Sequence, residues 1–170
     1  MKQLLGAAIL CVSLTGCTTY YPTIPEDYEG PSAVIEDSEN RIDSGKADLF
    51  YLSHVNKKPL RNSRKQSLTR SYGMGNFLTT ILLKHTVAAE EQTFSIVGRT
   101  TYAMPGRALL GTVYELKGDV VFSPQPDASY VIKGELQEEG SSVWIENVAS
   151  GEVVRKIEVE GPSKLGFFEK

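Results

Sequence analysis

The sequence predicts an all-β protein whose folded part is an antiparallel β-sandwich of about seven strands, with at most one short helix. Short apolar alternations with a period of two recur from Pro31 onward, and turn-forming residues separate them. Long amphipathic helical stretches are scarce. A single domain is therefore expected at 31–170, preceded by a signal peptide and a flexible tether.

The first residues have the pattern of a secretory signal peptide. Met1-Lys2-Gln3 carries one positive charge, and no charged residue follows between Leu4 and Leu14. A membrane-spanning helix needs about 20 apolar residues, and polar residues already return at Thr15. We therefore expect residues 1–16 to be cleaved off and not to span the membrane.

The segment Leu14-Thr15-Gly16-Cys17 resembles the lipobox of bacterial lipoproteins, a leucine and two small or polar residues before an obligatory cysteine. The resemblance implies diacylglyceryl transfer to the Cys17 thiol, cleavage after Gly16, and N-acylation of the new terminus by a fatty acid such as palmitate. It also implies, from Thr18 in place of aspartate, sorting to the outer membrane with the domain facing the periplasm. Two or three acyl chains hold a protein stably, whereas one binds marginally.

Residues 17–30 comprise the lipidated cysteine and the predicted flexible tether. Pro22, Pro25 and three acidic residues favour an extended, solvated segment. The chain after Gly16 keeps all 21 acidic side chains and is therefore net acidic. Because Cys11 is removed and Cys17 is acylated, no thiol remains for a disulfide or a cysteine metal site.

The strand pattern is clearest near the C-terminus, where a three-stranded antiparallel meander is predicted. Its strands lie at 130–136, 143–148 and 153–160, with turns at 139–141 and 150–152. In the third strand, Val153, Ile157 and Val159 are expected to share one face.

Further segments upstream have strand composition, with β-branched and aromatic residues in short runs. They are Leu49–Val55, Leu78–Val87, Phe94–Tyr102 and Asp119–Ser123. Arg107–Lys117 stays open between a strand and a short helix, because its apolar residues also fit one helical face.

The C-terminal part also resembles small uncharacterised bacterial envelope proteins with carboxypeptidase-regulatory-like or immunoglobulin-like sandwiches. The resemblance rests on Phe122–Ile132, Val143–Glu146 and Ser150–Val153, within Thr93–Val159. It implies a sandwich fold and supplies no catalytic residues.

Residue types used in catalysis are present, but they form no recognisable set. His54 and His85 are the only histidines, and neither has a neighbouring ligand at metal-binding spacing. Ser53 and His54 are adjacent in a predicted strand, so their side chains should face opposite ways, which excludes a triad with Asp48. The sequence therefore predicts no catalytic residue, no metal site and no cofactor, and thus no enzyme.

Two other patterns favour solvated turns. The carboxylate pairs Glu90-Glu91 and Glu138-Glu139 lie at predicted turns. Tyr72–Asn76 is rich in glycine but lacks the lysine or third glycine of a phosphate-binding loop, so a flexible turn is expected.

The interval between Leu49 and Ala89 is basic, whereas the rest of the chain is net acidic. No acidic residue occurs between Leu49 and Ala89. The candidate ligand-binding residues in this interval are Lys57, Lys58, Arg61, Arg64, Lys65 and Arg70. They suit anionic groups such as lipopolysaccharide phosphates, peptidoglycan carboxylates or an acidic partner, and the alternative is a solvated loop paired with the acidic N-terminal segment. Nucleic acid is not expected, because the location excludes it and no aromatic residue lies among these cations.

The aromatic residues and the C-terminal tail each leave two alternatives. Tyr102, Tyr114, Phe122, Tyr130 and Trp144 suit core packing or a glycan-stacking platform. The tail, 164–170, suits a closing edge strand or a docking peptide.

From these patterns we expect an outer-membrane lipoprotein that acts as a non-catalytic binding or assembly module. Its expected partners are the membrane, through the lipid on Cys17, and other envelope proteins. The alternative is a binder of lipopolysaccharide or peptidoglycan through 57–70, and a hydrolase is the third hypothesis.

Overall fold

The computed structural model describes residues 20–170, so the predicted signal peptide, 1–16, and the predicted lipidation site, Cys17, lie outside the described residues. Two β-sheets and two short helices form within this range, and the predicted all-β sandwich is confirmed. The elements are β1 (Ser32–Glu36), β2 (Ser38–Asp43), β3 (Lys46–Val55), β4 (Lys58–Pro59), α1 (Ser63–Ser71), β5 (Lys84–Ala88), β6 (Gln92–Tyr102), α2 (Pro105–Leu110), β7 (Glu115–Phe122), β8 (Ser129–Leu136), β9 (Gly140–Asn147) and β10 (Val153–Glu160).

The first sheet has the strand order β10-β9-β8-β1-β5, and the second has the order β2-β3-β6-β7 with β4 added to β3. The strand pairs are antiparallel except for β1 and β8, which are parallel. The chain passes from the first sheet to the second between β1 and β2. There the Ser38 hydroxyl donates to the Ile132 carbonyl at 2.5 Å, which ties the start of β2 to the facing sheet.

The main core lies between the two sheets, because alternate residues of both sheets point inward. Phe50 and Phe94 come from the second sheet, and Ile132 and Ile145 come from the first; each is at most 2% exposed. Burying such a side chain contributes about 1.5–3 kcal/mol. A Cβ on Gly134 would lie 2.6 Å from Phe50 Cδ1, so this position in β8 must stay small for the Phe50 ring to fit.

A second, smaller apolar cluster lies on the outer side of the second sheet. It contains Ala47, Leu49, Tyr51, Leu78 and Val97. Strand β3 is therefore buried on both faces, which explains its nearly continuous burial.

Helix α1 is attached to the protein by serine hydroxyls. Ser63, Ser67 and Ser71 are spaced four residues apart and are buried. Their Oγ atoms accept backbone N–H groups from alternate residues of the extended segment 79–83, at 2.8 to 2.9 Å. Four helical residues rise about 6.0 Å and two extended residues rise about 6.6 Å, so the two spacings nearly match. We call these three residues the serine ladder.

The ladder hydroxyls also have acceptors for their own protons. Ser63 donates to Asp37 Oδ2, and Ser67 and Ser71 each donate to the carbonyl four residues earlier at 2.7 Å. At the start of α1, Asn62 Oδ1 accepts the Lys65 N–H at 2.9 Å. Such a cap contributes about 1 kcal/mol. A helix with a strongly polar sequence is thereby held against the sheet.

The predicted meander forms as β8, β9 and β10 with antiparallel pairing. The predicted face of its third strand is partly wrong. The register shifts between Val153 and Arg155, so that Val154 packs on the core beside Ile157, while Val153 is 48% exposed and Val159 is 39% exposed. A β-bulge adds a residue to one strand and breaks the alternation of faces.

Other element predictions differ from the structure in number and extent. Ten strands and two helices form within residues 20–170, where about seven strands and at most one helix were expected. The predicted strands Leu49–Val55 and Phe94–Tyr102 are confirmed within β3 and β6. Of the predicted strand Leu78–Val87, only the end belongs to β5, because the serine ladder uses the N–H groups of 79–83. Arg107–Lys117 contains both the end of α2 and the start of β7.

The segment predicted as a flexible tether lies against the domain from Tyr20 onward. The Tyr21 N–H donates to the Pro59 carbonyl at 3.1 Å, and the Thr23 hydroxyl donates to the Thr86 carbonyl. Prolines and acidic residues favour solvation of such a segment, but these bonds anchor it to β4 and β5.

The C-terminal tail makes a short edge pairing. Tyr114 and Lys164 form an antiparallel bridge, and the Leu165 N–H donates to the Val113 carbonyl at 2.8 Å. Beyond this pairing, Phe167 and Phe168 are exposed. The edge-strand alternative therefore holds for the first residues of the tail.

Candidate functional site

The structure separates the predicted ligand-binding residues into three groups. Lys57, Lys58, Arg61 and Lys65 are exposed around β4 and the start of α1, and we call them the basic surface. Arg64 lines a cavity on another side of α1. Arg70 is exposed near the end of the helix. The interval 57–70 is thus not one binding surface.

The basic surface contacts the first described residues of the chain. Lys65 Nζ lies 2.7 Å from the Tyr20 hydroxyl and 5.2 Å from the centroid of its ring. Lys58 Nζ lies 5.8 Å from the ring centroid of Tyr21. Within residues 20–170, no carboxylate pairs with a side chain of the basic surface. Pairing with the acidic N-terminal segment is therefore not seen there, whereas the exposure of all four side chains fits the solvated-loop alternative.

Two arginines that are distant in sequence line a single cavity. The cavity has a volume of about 200 Å³ and lies between α1, α2 and the C-terminal residue. We call it the arginine cavity. Its charged lining residues are Arg64, Arg99 and Lys170, and its apolar lining includes Leu68, Leu109 and Val113.

The two guanidinium groups in this cavity are incompletely satisfied. The Nε atoms of Arg64 and Arg99 are buried and have no hydrogen-bond partner among residues 20–170. Arg99 pairs with Glu115 through Nη1. Burial lowers the pKa of Arg64, and the positive charge of Arg99 lowers it further. The cavity thus holds cationic donors that the described protein atoms do not fully use.

Tyr51 lies in the apolar cluster of the second sheet, and the charges of Arg64 and Arg99 also affect its pKa. Burial raises its pKa to about 12, and the positive charge of Arg64 opposes this rise. Its hydroxyl therefore stays protonated at neutral pH and does not act there as a base.

The local sequence explains how α1 supplies the cavity. Arg64 and Leu68 each follow a ladder serine and lie four residues apart, so both project from one side of the helix. The period of four in Ser63, Ser67 and Ser71 is the signal that could have indicated this helix. Arg99 and Lys170 carry no such signal, because only the folded chain brings them to Arg64.

The expectation that Ser53 and His54 cannot pair is wrong. The pairing of β3 with β6 shifts register between Leu52 and His54, which brings His54 Nδ1 to 3.0 Å from Ser53 Oγ. However, the Ser53 hydroxyl donates its proton to the Ser95 carbonyl at 3.0 Å. His54 must then donate to Ser53, which is the reverse of the proton direction that activates a nucleophile.

The remaining residues considered for catalysis lie apart from one another, and their side chains make structural hydrogen bonds or ion pairs. Asp48 accepts a hydrogen bond from Thr100 Oγ1 at 2.6 Å, and its burial raises its pKa. His85 Nε2 lies 3.5 Å from Asp37 Oδ2, beneath the serine ladder. In the part of the chain that the structure describes, no three His, Cys, Asp or Glu side chains form a metal-binding group.

The predicted turns and aromatic residues also have defined places. The carboxylate pairs Glu90-Glu91 and Glu138-Glu139 are exposed, and Tyr72–Asn76 forms the loop after α1. Phe122 and Tyr130 belong to the main core, with ring centroids 5.5 Å apart. Trp144 is half-buried and donates to Glu146 at 3.2 Å. The aromatic set is therefore divided between core and surface and forms no stacking platform.

Comparison with known protein families, curated proteins and solved structures finds no match to this chain. Among residues 20–170, no helix has the length and apolar character needed to cross a bilayer.

Proposed function

We propose that the chain is a bacterial outer-membrane lipoprotein, anchored through acyl chains on Cys17, whose β-sandwich is a non-catalytic binding or assembly module facing the periplasm. The observation that carries this proposal is the lipobox-like segment Leu14-Thr15-Gly16-Cys17, which ends three residues before Tyr20. The Tyr20 hydroxyl in turn contacts Lys65 of the basic surface. A lipid on Cys17 would hold the basic surface next to the membrane.

Covalent geometry limits the separation of anchor and domain. Cys17 precedes Tyr20 by three residues. An extended chain covers at most about 3.6 Å per residue, so the Cα atoms of these two residues lie within about 11 Å of each other. Each lysine or arginine near an anionic lipid surface contributes about 1 kcal/mol. Acyl chains and the basic surface would therefore act together on the same membrane.

Replacing the proposed lipidation site tests the anchor. In cells that express the full chain, Cys17→Ala should remove the protein from the outer-membrane fraction, whether or not the apolar segment 4–14 stays attached. Cys11→Ala is the matched control, because Cys11 lies in the predicted signal peptide and its loss should leave the protein membrane-bound. Density-gradient fractionation with blotting measures both. Retention of the Cys17→Ala protein in the outer-membrane fraction at the level of the control contradicts the proposal.

A second candidate function is the binding of anionic envelope ligands through the basic surface. Its support is that Lys57, Lys58, Arg61 and Lys65 have no carboxylate partner among the described residues. Sedimentation with purified sacculi or lipopolysaccharide should fall at least threefold when Lys57, Lys58 and Lys65 are replaced by serine. Replacing Lys117, Lys133 and Lys156 by serine removes the same charge elsewhere and should have little effect. Equal losses in the two variants count against a specific surface.

A further inference from the structure

We propose that the arginine cavity is a binding site for an amphiphilic oxyanion, a carboxylate or phosphate attached to a short apolar group. The inference rests on the placement of Arg64 and Arg99 around one cavity of about 200 Å³ with a partly apolar lining. It goes beyond the proposed function, because it needs neither the lipid on Cys17 nor the basic surface.

The first argument concerns the unused donors. Nε of Arg64 and Nε of Arg99 are both buried without a hydrogen-bond partner among residues 20–170. The guanidinium groups of both residues line the cavity, and no hydrogen bond or ion pair within the described residues uses the other nitrogens of Arg64. An oxyanion in the cavity would accept hydrogen bonds from the guanidinium nitrogens that face it.

The second argument concerns the balance of charge. Glu115 pairs with Arg99 and also lies 3.5 Å from Lys117, whereas Arg64 has no carboxylate partner within the described residues. Lys170 Nζ adds a further positive charge at the cavity and is held by the carbonyls of Leu109 and Gly111. Arg64 and Arg99 together exceed the single carboxylate of Glu115 that pairs with them, so the cavity favours an anion. The planar guanidinium forks match the geometry of carboxylate and phosphate oxygens.

The third argument concerns the apolar wall. Leu68, Leu109 and Val113 line the cavity beside the arginines. A fully hydrated inorganic ion gains nothing from these side chains, whereas a short alkyl group would bury apolar surface against them. The cavity is smaller than the 300–1,000 Å³ typical of drug-sized ligands, which favours a group of about six carbons or fewer.

Isothermal titration of the purified full chain in nonionic detergent tests the site. The probes are hexyl phosphate, hexanoate, inorganic phosphate and hexanol. We expect hexyl phosphate or hexanoate to bind at least tenfold more tightly than inorganic phosphate or hexanol. Absence of binding by both amphiphiles, or equal binding of hexanol, overturns the proposal.

Variants locate the binding. Arg64→Gln should weaken binding of the preferred amphiphile at least tenfold, whereas Arg70→Gln, on the exposed side of the same helix, should change it less than twofold. Arg99→Gln should act like Arg64→Gln, but it also leaves Glu115 unpaired. If thermal melting shows that Arg99→Gln is unfolded, Arg64→Gln decides the question, because Arg64 has no ion pair within the described residues. Equal weakening by Arg64→Gln and Arg70→Gln overturns the site.

A competition arm distinguishes the two sources of such a group. Short-chain phosphatidic acid that displaces the bound probe identifies a lipid headgroup as the ligand source. A bound probe that the lipid does not displace identifies a free amphiphile. Both results support an oxyanion site, and they differ in what occupies it.

Discussion

The β8–β10 meander and the segment 57–83 lie in one domain but are stabilised by different interactions. In the meander, β8 and β9 place Ile132, Val143 and Ile145 in the main core through alternation of faces. The segment 57–83 attaches α1 through the serine ladder and places Arg64 in the arginine cavity. Regular apolar burial thus builds the scaffold, whereas buried hydroxyl and guanidinium groups build the candidate site.

This difference matters because the two interactions respond differently to change. Loss of apolar volume leaves a cavity whose cost depends on how far the neighbours relax. Loss of one hydroxyl from the ladder leaves specific N–H and carbonyl groups without a partner. The following substitutions separate the two effects.

The largest effect is expected in the meander. Ile145→Ala should lower the free energy of unfolding by about 2–5 kcal/mol, because Ile145 is fully buried between the sheets. Val153→Ala is the matched control in the neighbouring strand and should change it by less than about 0.5 kcal/mol. Urea unfolding measures both. A large cost at Val153 would contradict the β-bulge in β10.

A smaller effect is expected in the serine ladder. Ser67→Ala should cost about 1–3 kcal/mol, because the Ile81 N–H loses its acceptor in a buried setting. Thr69→Ala is the control on the exposed side of α1, where the Thr69 hydroxyl bonds only the Lys65 carbonyl. Urea unfolding with helix content followed by circular dichroism compares them. Equal costs would show that the ladder adds nothing beyond helix propensity.

The smallest effect concerns Tyr51, which lies in the apolar cluster of the second sheet. Its pKa in the folded state is raised to about 12, so its contribution to stability is complete below pH 10 and is lost as the pH rises from 10 through 12. At pH 11 this loss amounts to about 1.4 kcal/mol relative to pH 9. Tyr51→Phe should remove that part of the alkaline destabilisation.

Unfolding free energies at pH 9 and pH 11 for the unmodified protein and the Tyr51→Phe protein test this prediction. Tyr72→Phe is the control, because Tyr72 is 91% exposed. The same alkaline loss in Tyr51→Phe as in Tyr72→Phe would contradict the role of burial at Tyr51.

The sequence predicts the scaffold well because alternation along a strand is a local property. The strand at 130–136 follows directly from it, and the strands at 49–55 and 94–102 follow from their β-branched and aromatic composition. It fails at Val153 and at the pairing of Ser53 with His54, because bulges depend on the partner strand and leave no apolar signal.

The candidate site is less predictable for a different reason. The segment 57–83 has few apolar residues with helical spacing. The role of its ladder hydroxyls as acceptors is visible only in the structure, where the N–H groups of 79–83 lie beside them. Arg64 stands out as a cation in an interval without acids. Arg99 and Lys170 join it only through the packing of β6, α2 and the chain end, which local patterns do not contain.

The serine ladder joins two segments whose repeat lengths differ slightly. Each step of α1 is shorter than each step of the extended segment by about 0.6 Å, so the mismatch grows with every further contact. With three contacts, the accumulated offset between the two segments is about 1.2 Å. Two further contacts would raise this offset beyond what a hydrogen bond tolerates. An inserted residue within α1 would rotate all later side chains by about 100° around the helix axis, so that the later ladder serines would no longer face the extended segment. Variation in chain length is therefore tolerated in the loop 72–76 and not in the helix that precedes it.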